Sequence, residues 1–595
     1  MEAGSPPTTG SRTIADLLPR AAEQYAQRVA IRHKVADDWV DVTFSELGDL
    51  VSETGRGLID LGLRPGERVS LLADTRPEWT VCSLAVSAAG GVVVPVYPSN
   101  SPEECEWVVG NSESIGVVCE NSGQLAKILE VRERLPLLRF LVVMDGSGEI
   151  ADAVTVTELR ARGRALEQQE LVDRYEAISP DDPYTFIYTS GTTGPPKGCV
   201  LTHRNYRSVL DMIERRELLR GEDDVVYLFL PLAHAFALVI MLLAADTGTT
   251  VAYWTGDTKR IIVDIGEIKP TYLPSVPRIF EKLYTLVTSY GDPERIKAAT
   301  QVGLRVRALR AAGEAVPPEL ERHYDQAEES LFKNVRAAFG GRLREAVSGA
   351  APIAKEILEF FWACGVPVVE GYGMTETATV ATVSSPEHSR LGSVGLPLPG
   401  VEVRTADDGE ILIKGANIFR GYHKNDDASF GAVVDGWLHT GDLGRIDEDG
   451  FVFITGRKKD IIITAGGKNL TPANLENDMK QCRWVSQAVM HGDRRPYPVM
   501  LITLDEEEIV PWAQQQGIED VSIPALARDP RVVDLIQTAL DEANERYARV
   551  EQVKRFFILD HDLTQETGEL TPTLKVKRNV VGEKYAARFD ALYDD

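Results

Sequence analysis

The sequence predicts an α/β protein: a large N-terminal domain of α/β sheets, a small β-rich subdomain after it, and a small C-terminal α/β domain. Three observations carry this prediction. Short apolar runs at 68–72, 91–96, 115–119 and 140–144 alternate with helix-period segments, the pattern of a parallel sheet. From 401 to 446 the chain turns to short strands and turns. The charged run Gly456-Arg457-Lys458-Lys459-Asp460 then marks a boundary, with about 140 residues beyond it, enough to fold alone.

In order, residues 1–12 are polar and read as disordered. Residues 13–25 have helical spacing, with Pro19 expected to kink the helix. Residues 30–34 and 39–44 read as a hairpin, and 43–63 as a helix. A turn at 64–67 enters the strand 68–72, followed by a helix at 78–89 and a strand at 91–96. Further strands are expected at 225–230, 250–254 and 366–370. The apolar run from Phe236 to Ala245 is about half the ~20 residues that span a membrane, so it reads as a buried helix. Residues 281–345 are rich in Ala, Arg, Glu and Leu and read as an exposed helical insertion; a solvated helical hairpin with no catalytic part is the plain reading. The expected division is 1–12, 13–455 and 456–595.

The chain has 595 residues and a formal net charge of −26. That balance argues against a nucleic-acid polymer as partner, because phosphate backbones need a basic footprint. The six cysteines are scattered without CxxC spacing, which suggests neither zinc nor a disulfide framework. A reduced, cytoplasmic setting is expected, and no signal peptide is visible at the start.

The stretch Thr189-Ser190-Gly191-Thr192-Thr193-Gly194-Pro195-Pro196-Lys197 joins hydroxyls, glycines and a lysine after an apolar run. Backbone N–H groups in such a turn form a concavity for an anion, hydroxyls add donors, and Lys197 adds charge. It is not a Walker A loop, because Gly198 follows the lysine where Ser or Thr is required. Gly371-Tyr372-Gly373-Met374-Thr375-Glu376 shares Gly-x-Gly with dinucleotide loops, but Glu376 stands where a third glycine should be. A carboxylate beside phosphates calls for a cation between them, and Tyr372 offers a face for a base. Taken alone, this motif is as readily a structural turn. Asp442, in Trp437-Leu438-His439-Thr440-Gly441-Asp442, is a turn cap or an acceptor for ribose hydroxyls. The run at 456–460 reads as a plain solvated charge run, but it sits on the expected domain boundary. Thr571-Pro572-Thr573-Leu574-Lys575-Val576-Lys577-Arg578 reads alone as a basic surface strand.

These five motifs, in this order, resemble the adenylate-forming superfamily of acyl-CoA synthetases, peptide-synthetase adenylation domains and luciferases. The resemblance covers nearly the whole chain from about Thr13. It implies a mobile C-terminal lid on a hinge. It also implies that the loop from Thr189 to Lys197 holds ATP phosphates, Glu376 binds Mg²⁺, and Tyr372 lies against adenine. Thr375 joins Gly371, Tyr372 and Gly373 in the nucleotide-binding set. Gly349 and Ala350, in Ser348-Gly349-Ala350-Ala351-Pro352, match its other adenine-pocket segment. Asp442 would bind ribose, Arg457 would help hold the nucleotide, and Lys459 takes the hinge position. Lys575 falls where the family places its mobile catalytic lysine, although Leu574 and Val576 replace the common Ser-Gly-Lys context. Thr189, Lys197 and His234 join it in the implied catalytic set. Gly466, Gly467 and Lys468 resemble the loop lining the coenzyme A channel.

The run Leu273-Pro274-Ser275-Val276-Pro277-Arg278 followed by a helical insertion resembles the long-chain fatty acyl-CoA synthetases. The residues from Phe236 to Leu243 would line an acyl pocket or are simply core. The implied activity is ATP-dependent activation of a long-chain fatty acid to an acyl-adenylate and its transfer to coenzyme A. Two alternatives stand beside it: a fatty acyl-AMP ligase serving a carrier protein, and a non-catalytic nucleotide- or lipid-binding relative. Such a substrate makes peripheral membrane contact plausible, and a homodimer is compatible with this reading.

Overall fold

The structure, a computed structural model, describes residues 8–146, 152–189, 195–216, 218–288, 291–571 and 575–594. Two large, mainly parallel sheets form the N-terminal part. One orders its strands Gly421–Tyr422, Lys197–Thr202, Pro183–Thr189, Val92–Val96, Arg68–Leu72, Ser114–Cys119, Phe140–Val143 and Val154–Thr155. Its inner strands are buried along their whole length, so they are continuously apolar rather than alternating. The antiparallel edge made by the first three strands carries the phosphate-loop motif.

The second sheet runs from the hairpin Val29–Val35 and Asp38–Thr43 through Thr250–Tyr253, Val225–Leu228, Tyr272–Ser275 and Glu345–Ser348 to Val368–Tyr372 and two short antiparallel strands. Gly371 and Tyr372 therefore belong to the strand itself, two residues beyond its expected end. Thr43 ends the hairpin and caps the helix Phe44–Asp60, its hydroxyl accepting from Glu46 N while Glu46 bonds back to Thr43. The helix Ala235–Thr247 is almost wholly buried and stops at Gly248, whose φ of 71° lies in the left-handed region. Among the described residues no helix is long and apolar enough to cross a membrane, and all six cysteines are free.

Two expectations near the start need correction. The first helix spans only Leu17–Gln24, so Pro19 sits in its first turn, where a missing N–H costs nothing, and no kink is required. Residues 8–12 are tied down rather than disordered: Thr9 and Ser11 are buried, Thr9 bonds Asp246, and Ser11 Oγ accepts from Arg207. Asp246 is a buried charge on the apolar helix, and Arg207 and Thr9 together satisfy it. Residues 277–338 form a run of helices, Pro277–Thr288, Pro293–Ala311, Pro318–Ala327 and Lys333–Ala338.

A five-stranded sheet follows, of Glu402–Thr405, Glu410–Lys414, Trp437–Ile446, Val433–Val434 and Val452–Arg457. The last part of the chain has a separate core, built on residues such as Leu475, Met500, Ile502, Ile536 and Leu540. Its three-stranded sheet pairs Val485–His491, Val499–Leu504 and Arg555–Ile558.

Candidate active site

Strand register brings the motif residues together. Thr189 and Lys197 are direct partners across the hairpin, so the phosphate-loop motif closes on itself at the sheet edge. Its tip, Ser190, Gly191, Thr192, Thr193 and Gly194, lies outside the described residues. Trp107 Nε1–H donates to Pro196 O at 2.9 Å and pins one base of the loop. Lys197 Nζ lies 5.4 Å from the centre of the Tyr422 ring, a cation–π contact.

Asp442 and Arg457 are opposite one another in the antiparallel sheet, and Arg457 Nε donates to Asp442 Oδ1 at 2.7 Å. Tyr372 O–H donates to Asp442 Oδ2 at 2.7 Å from the end of the other sheet. Three residues selected from separate motifs thus meet on one carboxylate. A carboxylate has about four acceptor positions, so Asp442 keeps capacity for further donors.

Glu376 sits in the short helical turn Thr375–Thr377, where Tyr422 O–H donates to its Oε1 at 2.7 Å. The turn is strained: Ala378 has φ 46° and Thr379 φ 99°, the latter rare for a β-branched residue. Gly373 is required beneath it, because a Cβ there would lie 2.1 Å from Thr379 O. Gly349 is buried, and Ala350 takes a left-handed φ of 69°. Among the described residues no group of three or more His, Cys, Asp or Glu could form a metal cage. The single carboxylate of Glu376 instead suits Mg²⁺, which usually takes few protein oxygens and completes its shell with phosphates and water.

His234 caps the apolar helix, its Nδ1 accepting from Phe236 N–H at 3.2 Å. Burial first, and the Lys575 charge second, push its pKa down to about 4. The ring is therefore neutral near pH 7, and the bond to Nδ1 assigns the proton to Nε2.

Lys575 comes from the C-terminal part. Its backbone is tied to Thr571, Lys575 N–H donating to Thr571 Oγ1 at 3.1 Å and Thr571 N–H to Lys575 O at 2.8 Å. The residue is exposed, yet the protein around its ammonium partly desolvates it. That desolvation, with Arg457 next and Lys459 adding to it, lowers its pKa to about 8 against the opposing pull of Asp442 and Glu376. Lys575 is thus within electrostatic reach of the Asp442 clamp, Glu376 and His234. Ion pairs hold the two parts in this arrangement. Arg278 bonds Asp505, and Lys282 meets Glu507 at 2.8 Å.

Lys459 lies in a helical turn at 458–460, its pKa lowered by burial and by Arg457. Among the described residues no hydrogen bond or ion pair joins the predicted coenzyme A loop to this cluster. Gly466 and Gly467 form a tight turn, closed by Gly467 N–H to Thr464 O at 2.8 Å, and Lys468 pairs with Glu551 of its own domain at 3.6 Å. Sequence reasoning missed Tyr422 and Glu410. Glu410 is buried, accepts from Gly441 N–H at 2.8 Å and pairs with Lys458 at 3.0 Å, so it ties the Asp442 turn to the start of the hinge motif. Neither carries a motif of its own; only pairing across strands reveals them.

An AMP-binding enzyme model matches residues 18–423, and an AMP-binding enzyme C-terminal domain model matches 459–595. A long-chain-fatty-acid–CoA ligase of Mycobacterium tuberculosis, FadD15, is 38% identical over 93% of this chain and 93% of its own length. A long-chain-fatty-acid–CoA ligase of Xenopus laevis, ACSBG2, is 32% identical over 98% of this chain and 84% of its own. In structure, the adenylation domain of a carboxylate reductase from Mycobacterium chelonae superposes with a TM-score of 0.77 at 20% identity, covering 99% of this chain and 92% of that one. The o-succinylbenzoate CoA synthetase of Bacillus subtilis gives 0.69 at 23%, covering 95% and 98%. The chain therefore belongs to the AMP-binding enzyme family, in its long-chain acyl-CoA synthetase branch.

Proposed function

We propose that this enzyme joins a long-chain fatty acid to ATP, releasing pyrophosphate, and then passes the acyl group to coenzyme A, releasing AMP. The observation that carries this reading is the placement of Lys575 against Asp442, Glu376 and His234, with a pKa lowered to about 8 by desolvation and neighbouring cations. A lysine so placed can bridge the fatty carboxylate and the α-phosphate and offset their mutual repulsion. His234, neutral with Nε2–H free to donate, orients the carboxylate without neutralising it, so the carboxylate stays nucleophilic. Asp442 takes the ribose hydroxyls on its remaining acceptor positions, and the Tyr372 ring flanks the base. Thr189, Lys197 and the loop between them hold the β- and γ-phosphates that leave. Glu376 would hold Mg²⁺, which supplies charge neutralisation at the phosphates.

Thioester formation needs the thiol of coenzyme A where Lys575 now stands. The C-terminal part, 456–595, is proposed to turn about Lys459, withdrawing Lys575 and presenting the loop Gly466-Gly467-Lys468. That loop bonds only within the C-terminal part among the described residues, to Thr464 and Glu551, which supports two arrangements serving two steps. The long-chain assignment rests on the relatives named above and on the Leu273–Arg278 segment.

The test is pyrophosphate release measured against fatty acids of graded length, with thioester assayed in the presence of free coenzyme A. The expected result is a preference for long chains and stoichiometric acyl-CoA. Adenylate accumulating without thioester would instead identify an acyl-AMP ligase, and a flat profile or a preference for aromatic or amino acids would refute the long-chain assignment.

A further inference from the structure

The segment from Ala416 to His423 touches both halves of the phosphate-handling machinery. Phe419 N–H donates to Glu376 O at 2.9 Å, and Asn417 Nδ2–H donates to Val380 O at 3.0 Å, behind the strained turn. Further along, Arg420 N–H donates to Val200 O at 3.0 Å, and His423 N–H donates to Gly198 O at 2.8 Å, on the strand that begins at Lys197. Asn205 closes the other side, donating to Ala416 O and Ile418 O at 2.9 and 2.8 Å. The chain turns between these contacts at Gly421, whose φ is 142° and where a Cβ would sit 3.0 Å from Ser429 Oγ. Ser429 in turn accepts from Tyr422 N–H at 2.8 Å, fixing the backbone from which the tyrosine projects.

Tyr422 is the one side chain of this segment that reaches both groups. Its O–H donates to Glu376 Oε1 at 2.7 Å, its ring lies under the Lys197 ammonium at 5.4 Å, and Phe419 packs edge-on against it at 4.8 Å. The ring is half-buried and anchored, so it cannot follow Glu376 if the carboxylate swings. A carboxylate that must meet a cation with one oxygen benefits from having the other fixed, since outer partners set the orientation of ligands.

We infer that Tyr422 is a positioning residue for the nucleotide's divalent cation: it holds Glu376 by one oxygen and turns the other toward the cation, while its ring fixes the Lys197 ammonium beside the same phosphates. The inference rests on Glu376 serving the cation, as proposed above. It makes Tyr422 act through metal-bearing ATP and not through ATP as such. Tyr422→Phe keeps the ring, its packing and its contact with Lys197, and removes only the hydroxyl.

The experiment is calorimetric titration of the full chain with ATP, first with excess chelator and then with Mg²⁺, alongside Mn²⁺ titration followed by electron paramagnetic resonance. Neither arm needs a fatty acid or coenzyme A, so the result does not depend on which acid the enzyme takes. In Tyr422→Phe the affinity for metal-bearing ATP should fall about tenfold, the lower end for loss of a ligand's outer partner. Affinity for metal-free ATP should be unchanged, which also reports an intact fold. Combined with Glu376→Gln, the tyrosine change should have nothing further to remove. Equal losses with and without metal, or full additivity in the double variant, would overturn the inference.

Discussion

The two parts of the molecule present charge to the same cleft in opposite ways. In the N-terminal part, Asp442 is buried, and its carboxylate is satisfied by Tyr372 and Arg457 before any substrate arrives. That clamp is built by strand register, which cannot change without unpairing the sheet. Among the described residues Lys575 has no comparable clamp. It is desolvated beside Arg457 and Lys459, and its lowered pKa measures that cost. The difference teaches a division of labour: groups that hold the nucleotide are satisfied in place, whereas the group needed for one step is delivered at some electrostatic cost and is ready to leave.

The largest expected effect follows from removing the delivered charge. Lys575→Ala should lower the rate of pyrophosphate release by roughly 10³-fold, as when a group aimed at transition-state charge is lost. The clamp should behave differently. Asp442→Ala should weaken ATP binding by about 10²-fold in a titration, and it should slow both steps, because the AMP moiety is held in both. A variant that slowed only one step would blur the contrast between the two groups.

A smaller effect comes from pH. Lys575 acts as a cation, so kcat/KM for adenylation should be level below about 8 and fall about tenfold per unit above it. Glu370, held neutral by burial with a pKa raised to about 8, titrates in the same window. Lys575→Arg separates the two: if the fall persists in that variant, it belongs to Glu370. His234, with its pKa near 4, should add no break between pH 5 and 8.

The smallest effect concerns the ion pairs that hold the arrangement. Lys282–Glu507 is largely exposed, and such a pair contributes about 0.2–1 kcal/mol, whereas Arg278 pairs with a buried Asp505. Lys282→Ala should shift the balance between the two steps by no more than about fivefold, and added salt should erase the shift. A double variant with Glu507→Ala should be no worse than either single change.

These contrasts also mark what was legible in the sequence. The buried strands were, because continuous apolar runs such as Val92–Val96 admit few other readings. The partners of the clamp were legible one by one, from turn chemistry and spacing. Their meeting on one carboxylate was not, since Tyr372 and Asp442 are 70 residues apart. Tyr422 and Glu410 gave no signal because each acts on a motif residue across strands rather than within a motif. Arg278 stood in a segment read for substrate preference, yet its visible contact is with the other domain. The N-terminal residues 8–12 looked disordered because polar composition hides the partners Asp246 and Arg207.

The central claim is that Lys575 serves the first step and is absent from the second. It is tested most directly by single-turnover transfer from presynthesised acyl-adenylate to coenzyme A, comparing Lys575→Ala with the unaltered chain. The two rates should agree within about threefold, as expected when the removed group makes no contact in that transition state. A collapse of transfer matching the collapse of adenylation would contradict the claim, and with it the two-arrangement account of this enzyme.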